Sequence, residues 1–331
     1  MASEFHHYIL DRAQKACSSN MLLADELMTL LNQSKANIYK KMQGKTPFSM
    51  EEYLAISRKY DISLDAIIHK SQGEFQKVTF DYSLPEHQPQ SPDGFLEKIF
   101  LDLQRIIQIP LASISYASNE VPIFHSLRYP TLTAFKLYVW ARTNWLISDQ
   151  LSPTFDPDRF YQTWPAVETL RNDISDLYRQ IPGKEFWSRT VVDNILNQIK
   201  YYENCGFFIH PSLPQGLRTE LGQMLEECAQ MGAMNSKTTS FGSTSGAKLD
   251  LYLNEIAYTN NIIMIYRDEI PLIVYSTMDN PNFLRSQDPV FCQRMNGWIK
   301  QIETCSFHTG NELHRLNLFR DLNRKIIPGF L

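Results

Sequence analysis

Between Lys35 and Lys45 the chain carries four lysines and no carboxylate, in the run KANIYKKMQGK. Leu27, Leu31, Ile38 and Met42 fall at helical spacing. They predict two short helices, near 22–31 and 35–43, each burying one face. The opposite face of the second then presents Lys35, Ala36, Asn37, Tyr39, Lys40 and Lys41. Ammonium groups and the amides at a helix start neutralise phosphates and set a register along a polynucleotide backbone. Ser34, Lys35, Ala36 and Asn37 stand where side chains reach base edges. An asparagine amide pairs at two points with adenine, worth about 1–3 kcal/mol of discrimination. Lys45 and Thr46, just past the helix, are placed to meet the backbone. The chemistry implied is a helix laid in the major groove of double-stranded DNA.

Such a helix needs neighbours to hold it. Asn32 sits where the chain must turn, and asparagine tolerates the left-handed backbone better than most residues with a side chain. Ser34 is placed to cap the second helix. Ser49 and Glu52 form a capping-box pattern for the next helix, and Phe48 and Tyr53 occupy its hydrophobic-staple positions. Phe5, Ile9 and Ala13 mark one stripe of a first helix, and Ser63 can cap a short fifth helix containing Leu64, Ile67 and Ile68. Residues 1–72 therefore read as a compact unit of five short helices. Pro85, Pro89 and Pro92 lie in SLPEHQPQSPDG. Proline lacks a donor and disfavours helix before it, so 73–93 reads as an extended linker, with a strand-like piece at 78–82.

The stretch ELMTLLNQSKANIYKKMQGKTPFSMEEYLAISRKYDISLDAII resembles the helix-turn-helix of the Cro/lambda-repressor-like (XRE-type) transcriptional regulators. The resemblance covers about residues 20–68. It rests on the Ser34-to-Ile38 spacing, the stop at Gly44, and the tail from Ser49 to Asp65, which looks like the family's fourth and fifth helices. Asn32 stands where the family's turn more often has glycine, Met28 where alanine is usual, and Met42 where an acid is frequent. The family's base preferences therefore do not carry over. The resemblance implies an all-α, five-helix, lambda-repressor-like DNA-binding head and a sequence-specific transcriptional regulator. A lone head buries little surface on DNA, so a homodimer reading two half-sites about one helical turn apart is expected.

The larger part, 94–331, shows helical patterns near 94–108, 131–147, 165–180, 187–204, 213–232, 286–305 and 309–325. Strand patterns fall at 112–117, 249–256, 261–266 and 270–276, with Arg267, Asp268 and Glu269 as a hairpin turn. Late strands that follow one another without helices favour a helix-rich α+β domain over a doubly wound sheet. Its fold resembles nothing specific. This body is assigned dimerisation, the sensing of a small-molecule effector of unidentified chemistry, or both.

Composition sets the outer bounds. At 331 residues and 43% hydrophobic, the chain can bury a large core, which excludes wholesale disorder. The net charge of −4 argues against coating nucleic acid over the whole surface. Residues 1–72 hold nine basic and eight acidic residues, leaving 23 and 28 beyond, so the excess of acid lies in the body. No apolar run approaches the roughly 20 residues of a membrane span. The N-terminus lacks the pattern of a secretory signal, so a cytoplasmic location is expected. The five scattered cysteines read as reduced thiols, mostly core filler.

Other signals are weaker. Gly242 to Lys248 lacks the glycine spacing of a phosphate-binding loop. His308 and His314, six apart, do not have zinc spacing. Cys205 and Cys228 have no adjacent base, and the aromatic clusters Tyr138/Trp140/Trp145, Trp164 and Phe186/Trp187/Tyr201/Tyr202 read mostly as core. No catalytic group, metal or cofactor is assigned. Two rival readings are a protein-interaction scaffold with a helix-turn-helix relic, and a small-molecule receptor or enzyme centred on the body.

Overall fold

The computed structural model describes residues 2–17, 20–60, 62, 64, 78–82, 91–145, 147, 151–238, 245–255, 260–279 and 281–327. The chain divides into two compact units, Met1–Thr79 and Phe80–Leu331.

The first unit holds four helices among the described residues: α1 (Ala2–Ala16), α2 (Asn20–Leu31), α3 (Lys35–Met42) and α4 (Met50–Lys59). Their inward stripes meet in one core, where Ile9, Ala13, Leu27, Ile38 and Ile56 are wholly buried. Leu31 and Met42 complete the stripe only half-buried. The capping box forms: the Ser49 hydroxyl accepts from the Glu52 amide at 3.3 Å, and the Glu52 carboxylate accepts from the Ser49 amide at 2.7 Å. The Phe48 and Tyr53 rings lie 5.4 Å apart around that start. Most of the expected fifth helix, including Ser63, Ile67 and Ile68, lies outside the described residues. Ile62 is buried in the same core and Leu64 packs against it.

The second unit is helix-rich α+β around a mixed sheet. Its helices are α5 (Pro92–Ile107), α6 (Ile123–Ser126), α7 (Pro130–Thr143), α8 (Pro157–Thr163), α9 (Ala166–Gln180), α10 (Asp193–Asn204), α11 (Leu213–Met234), α12 (Pro289–Thr304) and α13 (Glu312–Ile326). Its strands are β1 (Ala112–Ala117), β2 (Gly183–Trp187), β3 (Ser236–Thr238), β4 (Ser245–Leu253), β5 (Ile262–Arg267), β6 (Ile270–Asp279), β7 (Asn282–Ser286) and β8 (Phe307–His308). The order across the sheet is β3-β4-β2-β1-β5-β6-β7, with β8 also on β4. The three strands β4, β2 and β1 run parallel, and β5, β6 and β7 form an antiparallel meander attached to β1.

Local chemistry accounts for the boundaries. Ser91 caps α5, with Pro92 in the first turn where its missing N–H costs nothing. Asp288 caps α12 and Asn311 caps α13 through their side-chain oxygens. Asp268 and Glu269 take φ of +49° and +65°, the two left-handed positions of a tight hairpin, so Arg267 belongs to β5 rather than to the turn. The helix expected from 187 begins at Asp193, because Gly183–Trp187 is the strand β2 at the middle of the sheet. Five residues closed in on both sides show too little alternation to announce themselves as a strand. Tyr201 is another correction: it is exposed, whereas Tyr138, Trp140, Trp145, Phe186, Trp187 and Tyr202 are core. Cys17, Cys228 and Cys292 are buried, while Cys205 and Cys305 are exposed.

The sheet has two differently used faces. On one, Phe186, Met264, Tyr266 and Val274 pack against Cys292, Ile299 and Ile302 of α12. On the other, Ile114, Tyr116 and Ile265 join the main core, which includes residues of α5, α7 and α9. Gly246 sits in β4 at a close approach of backbones. A Cβ there would stand 2.6 Å from the Lys237 carbonyl and 2.9 Å from that of Arg179. Its neighbours Gly242 to Thr244 lie outside the described residues. No helix among the described residues is long and apolar enough to cross a membrane.

Candidate nucleic-acid interface

Two chain reversals isolate α3 as a separate eight-residue rod. At the first, Asn32 takes φ +50° and the Gln33 amide donates back to the Met28 carbonyl at 3.2 Å, closing the end of α2. At the second, the Gly44 amide donates to the Lys41 carbonyl at 2.9 Å and the Lys45 amide to that of Lys40 at 2.9 Å. That pair of bonds is a Schellman closure, which needs a left-handed residue at its centre, and Gly44 supplies φ +72°. A side chain at Gly44 would have open space, so the demand there is on the backbone alone.

Ser34 holds the extended conformation of an N-cap, and its carbonyl accepts from the Asn37 and Ile38 amides. Its hydroxyl makes no cap hydrogen bond, which corrects the expected role. The first-turn amides of α3 are thus uncapped by a side chain and carry the positive end of the helix dipole.

The expected basic face forms only in part. Ser34, Lys35, Ala36, Lys40 and Lys45 are exposed, and Asn37, Tyr39 and Thr46 are half-buried. Asn37 donates to the Gln33 side-chain oxygen at 2.9 Å. Lys41 departs from expectation: it is buried, with Nζ 2.5 and 2.6 Å from the two Glu52 oxygens and 5.5 Å from the centre of the Phe48 ring. The reason is angular. Lys41 follows Ile38 by three positions and precedes Met42 by one, so it lies on the inward edge of α3. Glu52 waits there because the capping box has already fixed it. Burial works against the charged carboxyl, but hydrogen bonds from Lys41, the Ser49 amide and Gln33 outweigh it and hold Glu52 below the usual carboxylate range.

Lys35 reaches Asp25 of α2 at 2.7 Å, and that partner holds the ammonium above its ordinary value. Both side chains stay about half exposed, so water screens the pair and it yields readily to a phosphate. The available positive groups are therefore Lys35, Lys40 and Lys45, flanking a start of α3 that carries Ala36 and Asn37.

His6 is a framework residue that its place in the sequence does not announce. Its ring bridges the Tyr53 hydroxyl at 3.0 Å and the Met42 carbonyl at 3.2 Å, tying α1 to the far end of α3. The second unit also holds a buried polar cluster that the spacing of residues does not reveal. Glu185 of β2 accepts from Tyr178 at 2.6 Å, Trp187 at 2.9 Å and His125 at 2.9 Å. Lys237, with no exposed surface, donates to the Tyr178 and Ile181 carbonyls at 2.9 and 2.7 Å. Desolvation pushes Lys237 down to about 7, against the pull of Glu185. The cluster locks β2, α6, α9 and the start of β3 together.

No family model matches the chain, and no curated protein and no solved structure matches it.

Proposed function

We propose that the first unit binds double-stranded DNA by laying α3 in the major groove, and that the protein is a sequence-specific transcriptional regulator. The observation that carries the reading is the geometry around α3. It is a short rod set off by two left-handed closures, with uncapped first-turn amides at one end and three exposed lysines along its outer side and exit. Ala36 and Asn37, near the start, read base edges, while Lys35, Lys40, Lys45 and the half-buried Thr46 meet phosphates. Ser34 and Tyr39 flank the contact. Lys41 acts from inside, by holding α3 against α4. The lambda-repressor-like five-helix arrangement suggested by residues 20–68 fits this use. Two heads of a homodimer reading neighbouring half-sites give the required contact area.

Selection from a random duplex library by the full chain tests this. Enrichment of a common sequence, in two related copies about one helical turn apart, is the expected result. Recovery of unrelated sequences at moderate salt overturns it and favours an interaction scaffold.

A further inference from the structure

A cavity of about 410 Å³ lies inside the second unit, between α5 and the sheet face that turns away from α12. Its floor follows from strand register. Tyr116, Ile263, Tyr275 and Arg285 stand opposite one another on β1, β5, β6 and β7, forming one row across the sheet. Three strand spacings of about 4.8 Å make that row roughly 14 Å long. Ile114 and Ile265 form the next row. Helix α5 covers the floor with Phe95, Ile99, Leu103 and Ile106, one apolar stripe at helical spacing. The size and the apolar walls are those of a site for a small organic molecule.

Asp81, Lys98, Asp102 and Arg285 line the cavity too, alongside a second set of polar groups. Tyr116 is 5% exposed, and its hydroxyl has no hydrogen-bond partner among the described residues. Burial holds its phenol well above the ordinary value, so it remains a donor. Asn261, 4% exposed, spends its Oδ1 on the Ser118 hydroxyl at 3.3 Å and the Asn119 amide at 3.1 Å. Its side-chain nitrogen has no partner among the described residues. Lys136, 8% exposed, lies over the Trp140 ring and reaches Glu120 only at 3.3 Å. The Tyr116 hydroxyl and the Asn261 side-chain nitrogen, which make no hydrogen bond to a described residue, and the Lys136 ammonium, paired with Glu120, line the cavity as donors for an acceptor.

We propose that this cavity binds a small apolar molecule headed by a carbonyl group, with the carbonyl oxygen at Tyr116, Asn261 and Lys136 and the apolar part along Ile263 and Ile265 beneath α5. Glu120 already balances the Lys136 charge, so an ionised carboxylate and a neutral amide both satisfy the donors, and the probes separate them. The site needs nothing from the DNA-binding reading and stands or falls on binding alone.

The test is isothermal titration of the full chain with decanoate and, separately, with decanamide. Saturable binding of at least one probe at one site per chain is expected, and the probe that binds tells whether the head is charged. Tyr116→Phe keeps the ring and removes the donor, and is expected to weaken binding by about tenfold, one hydrogen bond's worth. Ile263→Trp fills the cavity and is expected to abolish binding. Ile265→Phe takes its place if that variant does not give the native circular dichroism spectrum. Absence of saturable binding of both probes overturns the proposal, and so does unchanged affinity in folded Tyr116→Phe together with either cavity-filling variant.

Discussion

Lys41 and Glu52, eleven residues apart and on different helices, form a two-oxygen ion pair at 2.5 and 2.6 Å that sets the position of α3 against α4. Glu52 serves the Ser49 amide as well, so one carboxylate both starts α4 and anchors α3.

Glu52→Gln is expected to destabilise the first unit. Removing one partner of a fully buried ion pair costs about 3–5 kcal/mol. Here the side chains keep 10% and 13% exposure, so about 2 kcal/mol is expected. Adding Lys41→Met to Glu52→Gln removes the stranded charge and should recover part of that loss. Urea titration of both variants gives the two values, and a double variant as unstable as the single one would contradict this role for Lys41.

The same carboxylate sets an acid limit. Its folded value lies below the ordinary 4.5. Its stabilising contribution is therefore complete above the ordinary value and is lost as pH falls through the folded one. Wild type should lose stability in that acid range more steeply than Glu52→Gln. Parallel pH profiles of unfolding free energy would count against the pair.

His125 gives the opposite sign in the second unit. Burial alone disfavours its imidazolium, but the Cys228 sulfur and the Glu185 carboxylate push it up to about 10. A raised folded value adds stability that is complete below about 6.5 and is lost as pH rises toward 10. Lys237, held down at about 7, works in the reverse direction over much of that range. The clean readout is the stability difference between wild type and His125→Asn, which should be largest below neutral and shrink with rising pH. A difference independent of pH would show that His125 is neutral in the fold.

Gly44→Ala should cost about 1–2 kcal/mol, the strain of a left-handed residue carrying a Cβ, with no clash to add to it. Urea titration measures this, and a neutral substitution would mean that the closure after α3 relaxes freely.

Much of the first unit is legible in its sequence because its signals are local. Ser49 and Glu52, Asn32, Gly44 and the stripe through Leu27 and Ile38 each act within a few residues. The inward position of Lys41 is also implicit in its spacing to Ile38, but its partner Glu52 belongs to another helix, and an unpaired lysine reads as solvated. In the second unit, α5 and the β5–β6 hairpin are visible for the same local reasons. The parallel pairing of β1, β2 and β4 is not, because it joins segments that are far apart in the chain and leaves no short-range mark. The Glu185 cluster and the row from Tyr116 to Arg285 exist only once those strands are in register.

Fluorescence anisotropy with a selected duplex, measured across a salt series for wild type and for Lys35→Gln/Lys40→Gln/Lys45→Gln, addresses the central claim most directly. Each neutralised phosphate contributes about 0.9 to the log–log salt slope, so the variant should bind more weakly with a slope shallower by roughly 2.7 per head. A folded variant with wild-type affinity and slope would contradict the assignment of α3 as the helix that lies on DNA.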